Sequence, residues 1–277
     1  MATPAALDDY GQPARMLSAF FGLDNGLGFR AHRLCLGAAG KDGMPVVFSH
    51  TLEEGTLQAE DFRVFTRSGV ETTPFCVTLM PSIDAGERRT VLLIGEFGDA
   101  ERDPPVRVEL VGDLLSDGAT GGPVSFRGAA VPVTPLPEGP VLVLAEVVPR
   151  EQWAVSRRGT VCPAGTLQVI RATWAGGVRL PGGEPADDSQ RALYRVTVAR
   201  GDGTRDEIVP AALADVGDGD NNHHLCLDTV DPAIAVFFPA GHLVDPNKDL
   251  NPETRIHINL GHRVQSGHSR SGATGQE

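Results

Sequence analysis

The chain has 277 residues, 41% of them hydrophobic, and a formal net charge of −12. That length suits one large domain or two ordinary ones, and the apolar fraction can fill a sizeable core. The acidic balance repels phosphate backbones, so nucleic acid is not an expected partner, and no stretch approaches the ~20 apolar residues of a membrane span.

The opening "MATPAALDDYGQPARM" has no basic segment followed by an apolar core, so it does not read as a signal peptide and a cytoplasmic setting is expected. Residues 1–14 are small and polar and read as a flexible N-terminus. In "ARMLSAFF", Met16, Leu17, Phe20 and Phe21 share a helical face, which predicts a short helix there. After it come short apolar runs bounded by Gly, Pro, Asp or Asn. They include "MPVVFSH", "DFRVFTR", "FCVTLMP", "RTVLLIGEF", "VRVELVGDLL" and "VLVLAEVVP". These are strands by length, branching and punctuation, and residues 15–150 read as one β-sandwich domain. "PREQWAVSRRGTVCPAG" (149–165) reads as the boundary. A second β domain spans 166–263, with runs such as "LQVIRATW", "ALYRVTVAR", "HLCLDT" and "AIAVFFPAG". The Gly-Asp-Gly turn of "ARGDGTRDE" predicts a hairpin. Residues 264–277 read as a disordered tail. The fold class expected is mainly β, with two sandwich-like halves of Ig-like or jelly-roll-like kind and little helix.

Within the first half, "PVVFSHTLEEGTLQAEDFRV", "RTVLLIGEF" and "VRVELVGDLLSDG" follow one another in residues 43–118. This pattern resembles bacterial Ig-like domains of the surface-layer type. The resemblance implies a β-sandwich that serves as a spacer or binding module. The chain shows no clear internal repeat, where such domains usually occur in tandem.

The polar chemistry concentrates in the second half. Asp218, Asp220 and Asn222 form a D-x-D-x-N triplet, and Asp245, Asn247 and Asp249 form a second. Alternating oxygen donors in a tight loop suit a hard cation, and Ca²⁺ is the ion expected if either loop binds one. Neither is an EF-hand: positions six and twelve hold His223 and Thr229 in the first, Leu250 and Ile256 in the second. The competing reading is an ordinary solvated turn, since Asp, Asn and Gly are turn formers.

Adjacent His223 and His224 should point to opposite faces of a strand, and His257 should face outward between Ile256 and Ile258. His242, at the exit of "AIAVFFPAG", is a candidate ligand or general base. Glu96 and Glu146 end apolar runs and are candidates for a half-buried acid/base pair; the plainer alternative is a rim carboxylate paired with an arginine such as Arg89 or Arg107. The four cysteines, Cys35, Cys76, Cys162 and Cys226, form no CxxC pair and are expected as reduced, mostly buried thiols.

The functional expectation is a soluble β-sandwich binding protein for a small molecule or a protein, Ca²⁺-stabilised through its Asp/Asn loops. The alternatives are a metal-assisted hydrolase or lyase, with Glu96, Glu146, His224 and His242 as its catalytic candidates, and a barrel-like pocket lined by Phe237, Phe238, Leu225 and Trp174.

Overall fold

The computed structural model describes residues 13–84, 86–118, 122–153 and 160–259. The N-terminal residues 1–12, the tail and His262 lie outside the described residues. The fold is mainly β. The first half holds β1 (Met16–Phe20), β2 (Asp42–Phe48), β3 (Phe62–Thr66), β4 (Glu71–Thr72), β5 (Cys76–Thr78), β6 (Thr90–Gly95), β7 (Pro105–Leu110) and β8 (Ala130–Thr134). The second holds β9 (Leu142–Val147), β10 (Gln168–Trp174), β11 (Arg195–Ala199), β12 (Arg205–Ile208), β13 (Ala212–Ala214), β14 (Asn222–Leu227), β15 (Ala233–Phe238) and β16 (Thr254–His257). A four-residue helix, α1 (Asp188–Arg191), is closed by a capping box in which Asp187 accepts from the Ser189 amide.

The first eight strands form a curled sheet in the order β4-β3-β7-β8-β1-β2-β6-β5. The curl is made by β8. Its start pairs antiparallel with β7, and its end, Val133 and Thr134, pairs parallel with Ala19 and Phe20 of β1. One strand thereby serves both layers, and the core fills the space between them. Phe48 lies edge-on to Phe62 and Phe126 there, at 6.4 and 5.0 Å.

The expected helix at "ARMLSAFF" is instead strand β1. Met16, Ser18, Ala19 and Phe20 are all buried. A strand covered on both faces is apolar at nearly every position, and such a run imitates a helical face.

The second half is a sandwich of two four-stranded antiparallel sheets, β13-β14-β10-β9 and β12-β11-β15-β16. Ile170, Ala172, Trp174, Tyr194, Val196, Leu225, Val236 and Phe238 fill it. The hairpin at "ARGDGTRDE" forms as expected, with β11 and β12 closed by Arg200 N–H to Thr204 O at 2.8 Å. Strand β9, grouped with the first half in the sequence, hydrogen-bonds to β10, so the change of sheet precedes it.

The cysteines are not reduced thiols. They pair as Cys35–Cys76 and Cys162–Cys226, across 41 and 64 residues. In each pair a strand cysteine, Cys76 of β5 or Cys226 of β14, meets one from a loop, and their sequence spacing carries no pairing signal. Among the described residues no helix is long and apolar enough to cross a membrane.

Candidate metal centre

The centre lies where the outer face of the β13-β14-β10-β9 sheet meets the loop before β6. Within that loop, "SIDAGERRT", Glu87 is 1% exposed. The facing loop, Asp215–Asp220, doubles back through three left-handed positions: Asp215 at φ 58°, Gly217 at 98° and Gly219 at 92°. Two are glycines and the third is an aspartate, which tolerates this region better than most residues. The turn aims Asp215 and Asp218 inward.

Arg171, at the middle of β10 and 1% exposed, organises the cluster. Its Nη1 donates to Glu146 Oε1 and to the Gly86 carbonyl, both at 2.9 Å. Its Nε donates to His224 Nε2 at 3.2 Å. The other Glu146 oxygen accepts from Arg89 Nη2 at 2.9 Å. His224 Nδ1 lies 3.5 Å from Asp215 Oδ2, and its Nε2 lies 3.2 Å from Glu87 Oε1. Since Nε2 accepts from Arg171, the proton sits on Nδ1, facing Asp215. His224 therefore orients its neighbours.

Four carboxylates converge beside this network. One oxygen each from Asp84, Glu87, Asp215 and Asp218 lies within 4.8 Å of all the others; Glu87, Asp215 and His224 also form such a group. Glu87 and Asp215 are buried, with Asp84 and Asp218 at the rim. Glu87 Oε1 forms an ion pair with Arg171 Nε at 3.5 Å, while neither Glu87 oxygen, nor Asp215 Oδ1, makes a hydrogen bond of ordinary geometry among the described residues. Burying a carboxyl without partners is costly. Burial above all, and then the Asp215 carboxyl, push Glu87 up to about 9, against the pull of Arg171. Burial and the Arg171 charge hold His224 down to about 4.

The two adjacent histidines do point to opposite faces. His223 turns into the sandwich, where its Nδ1 meets Tyr194 OH at 2.8 Å, and Trp174 Nε1 donates to the same hydroxyl at 3.1 Å. His257 is exposed as expected. The remaining candidates scatter. Glu96 is a rim carboxylate on Lys41, 2.8 Å away, and does not join Glu146. His242 sits apart, its amide donating to Asn251 Oδ1 at 3.0 Å. Phe238, Leu225 and Trp174 are fully buried and pack in the sandwich core, whereas Phe237, the fourth residue of the expected pocket, is half-buried.

The D-x-D-x-N triplet divides. Asp218 joins the carboxylate group, but both Asp220 oxygens accept from Asn222, from its amide at 2.7 Å and its side chain at 2.9 Å. Asn222 Oδ1 accepts from Thr173 at 2.7 Å. The second triplet closes on itself as a turn: Asp245 Oδ1 accepts from the Asp249 amide at 2.9 Å, and Asn247 donates to Asp249 Oδ2 at 2.7 Å. Sequence reasoning passed over Arg171, Glu87, Asp84 and Asp215. The available signal was Arg171, a lone charge inside the apolar strand run "LQVIRATW".

Comparison with known proteins finds no matching family model and no matching curated protein.

Proposed function

We propose that the chain is a divalent-cation-binding β protein, in which one ion joins the Asp84–Glu87 loop of the first half to the Asp215–Asp218 loop of the second. One observation carries this reading: two buried carboxyls, Glu87 and Asp215, bring oxygens to one point, within 4.8 Å of oxygens from Asp84 and Asp218. Arg171 faces several carboxyls at once, its Nη1 held by Glu146 and Gly86 and its Nε 3.5 Å from Glu87 Oε1, so its single charge does not balance them. With both His224 nitrogens engaged, the free donors are oxygens from four carboxylates, which favours a hard ion, Ca²⁺ first. Surface-layer-type Ig-like character for residues 43–118 belongs to the same proposal and suits a binding module. The two disulfides support an oxidising compartment over the cytoplasmic one read from the sequence.

A second reading, a metal-assisted hydrolase, is favoured by a small open pocket of about 40 Å³ that reaches Asp215, Asp218 and Asp220. Calorimetric titration of EDTA-treated protein with CaCl₂, MnCl₂ and ZnCl₂ tests both readings. Saturation at one ion per chain with a raised melting temperature is expected for Ca²⁺, and it is lost in Glu87→Gln and Asp215→Asn. No heat and no melting shift with any of the three ions sinks the cation reading and the metal-assisted one with it.

A further inference from the structure

The connection between β1 and β2 carries Arg30, His32, Arg33 and Lys41, and no acid between Phe29 and Lys41, in a chain of net charge −12. It begins with one short helical turn, Phe29–Arg33. Ala31, Leu34 and Ala38 pack with Ile94 of β6, and Cys35 is bonded to Cys76 of β5. Those contacts anchor the segment without using its largest apolar side chains. Phe29 is 82% exposed and Leu36 87%, and Phe75, just before β5, is 53% exposed.

These side chains belong to one face. The Phe29 ring stands edge-on to His32 at 5.0 Å, and His32 Nδ1 accepts from the Gly37 amide at 3.1 Å. A Cβ on Gly37 would lie 3.2 Å from the Phe75 ring. Lys41 Nζ stands 5.2 Å from the centre of that ring and pairs with Glu96. The Arg30 and Arg33 side chains are exposed and have no partner among the described residues.

Clustered apolar exposure marks a surface that something covers, and two properties say what. The unpaired charge is positive, so the covering surface is anionic. The apolar side chains also protrude singly. A stable protein contact buries about 800 Å² on each side, and one aromatic side chain brings at most about 150–250 Å², so three fall short. A bilayer interface accepts such side chains one at a time, and arginine beside them reaches headgroup phosphates. We infer that this face docks on a lipid bilayer with anionic headgroups, Phe29, Leu36 and Phe75 entering the interface and Arg30 and Arg33 holding phosphates. None of the four clustered carboxylates takes part, so the inference stands whether or not the cation reading does.

The test is co-sedimentation of the whole chain with vesicles of phosphatidylcholine, alone or with about one-third phosphatidylglycerol. EDTA is present, so that no cation bridges carboxylates to headgroups. Binding to the anionic vesicles is expected, with release by about 0.5 M NaCl. Phe29→Ser with Leu36→Ser, and Arg30→Gln with Arg33→Gln, should each weaken it about tenfold or more. All four side chains are exposed, so the melting temperature should hold. Val230→Ser, at an exposed valine of the second half, should bind as the parent does. Absence of sedimentation with anionic vesicles overturns the inference. So does equal binding to both vesicle types, or undiminished binding in both double variants. A dimer in solution that the Phe29 and Leu36 variant abolishes assigns the face to a second copy and overturns it too.

Discussion

Arg171 Nη1 donates to the Gly86 carbonyl at 2.9 Å, linking residues 85 positions apart in different halves of the chain. Gly86 holds φ at +80°, and a Cβ there would fall 2.9 Å from the guanidinium and 2.3 Å from Gln152 Oε1. Gly86→Ala should therefore displace Arg171 and lower stability by about 1–3 kcal/mol. Arg171→Ala should cost more, about 3–5 kcal/mol, because it removes the guanidinium beside buried Glu87 and leaves Glu146 with Arg89 alone. Urea unfolding of both variants checks the order; equal stability of Arg171→Ala and the parent chain would contradict it.

The two aspartate loops should respond differently to substitution. Asp218→Asn removes one donor of the carboxylate group and should weaken Ca²⁺ about tenfold or more. Asp249→Asn, in the self-closed turn, should leave Ca²⁺ affinity within about twofold. Calorimetry on the pair decides it, and the reverse order would move the site to the second loop.

Asp245 gives a pH signature away from the cluster. Burial raises its carboxyl to about 6 from the ordinary 3.8, and Oδ2 lacks a partner among the described residues. The folded chain then binds the proton more tightly than the unfolded chain. This contribution is full below about pH 4 and is lost as pH rises through about 6. Asp245→Asn mimics the protonated acid at every pH. Its melting temperature relative to the parent should climb between pH 4 and pH 7, measured in EDTA; a flat difference would mean Asp245 titrates normally.

The Cys162–Cys226 bridge should matter locally as well as globally. Its loss through Cys162→Ala with Cys226→Ala should cost about 2–5 kcal/mol. The bridge also anchors the segment whose Thr160 carbonyl accepts from the Asp215 amide at 2.9 Å. Ca²⁺ affinity of the folded double variant should therefore fall too, while substitution of Cys35 and Cys76 leaves it alone.

Strand content was legible because it is local. "RTVLLIGEF" and "LQVIRATW" became β6 and β10, and the Gly-Asp-Gly hairpin formed where its turn residues placed it. Strand β1 was misjudged because burial on both faces erases the alternation that marks a strand. The site was legible only in part, for a different reason. His224, Glu146 and Asp218 carried visible signals, but Glu87 sits in a run of turn and charged residues. Its burial arises only when the second half closes over that loop, and this is long-range information. In the second Asp/Asn triplet, the alternation that suits a cation also builds a turn bonded to itself.

Strand β14 carries His223, Leu225 and Leu227 on its inner face, and Asn222, His224 and Cys226 on the other. A slip by one residue against β10 would drive an amide, an imidazole and a half-cystine into the oily interior and strand two leucines among ionised groups. Each wrong alignment is thus penalised on both sides at once. The same alternation that builds the candidate site on one face of β14 also fixes how that strand lines up against β10.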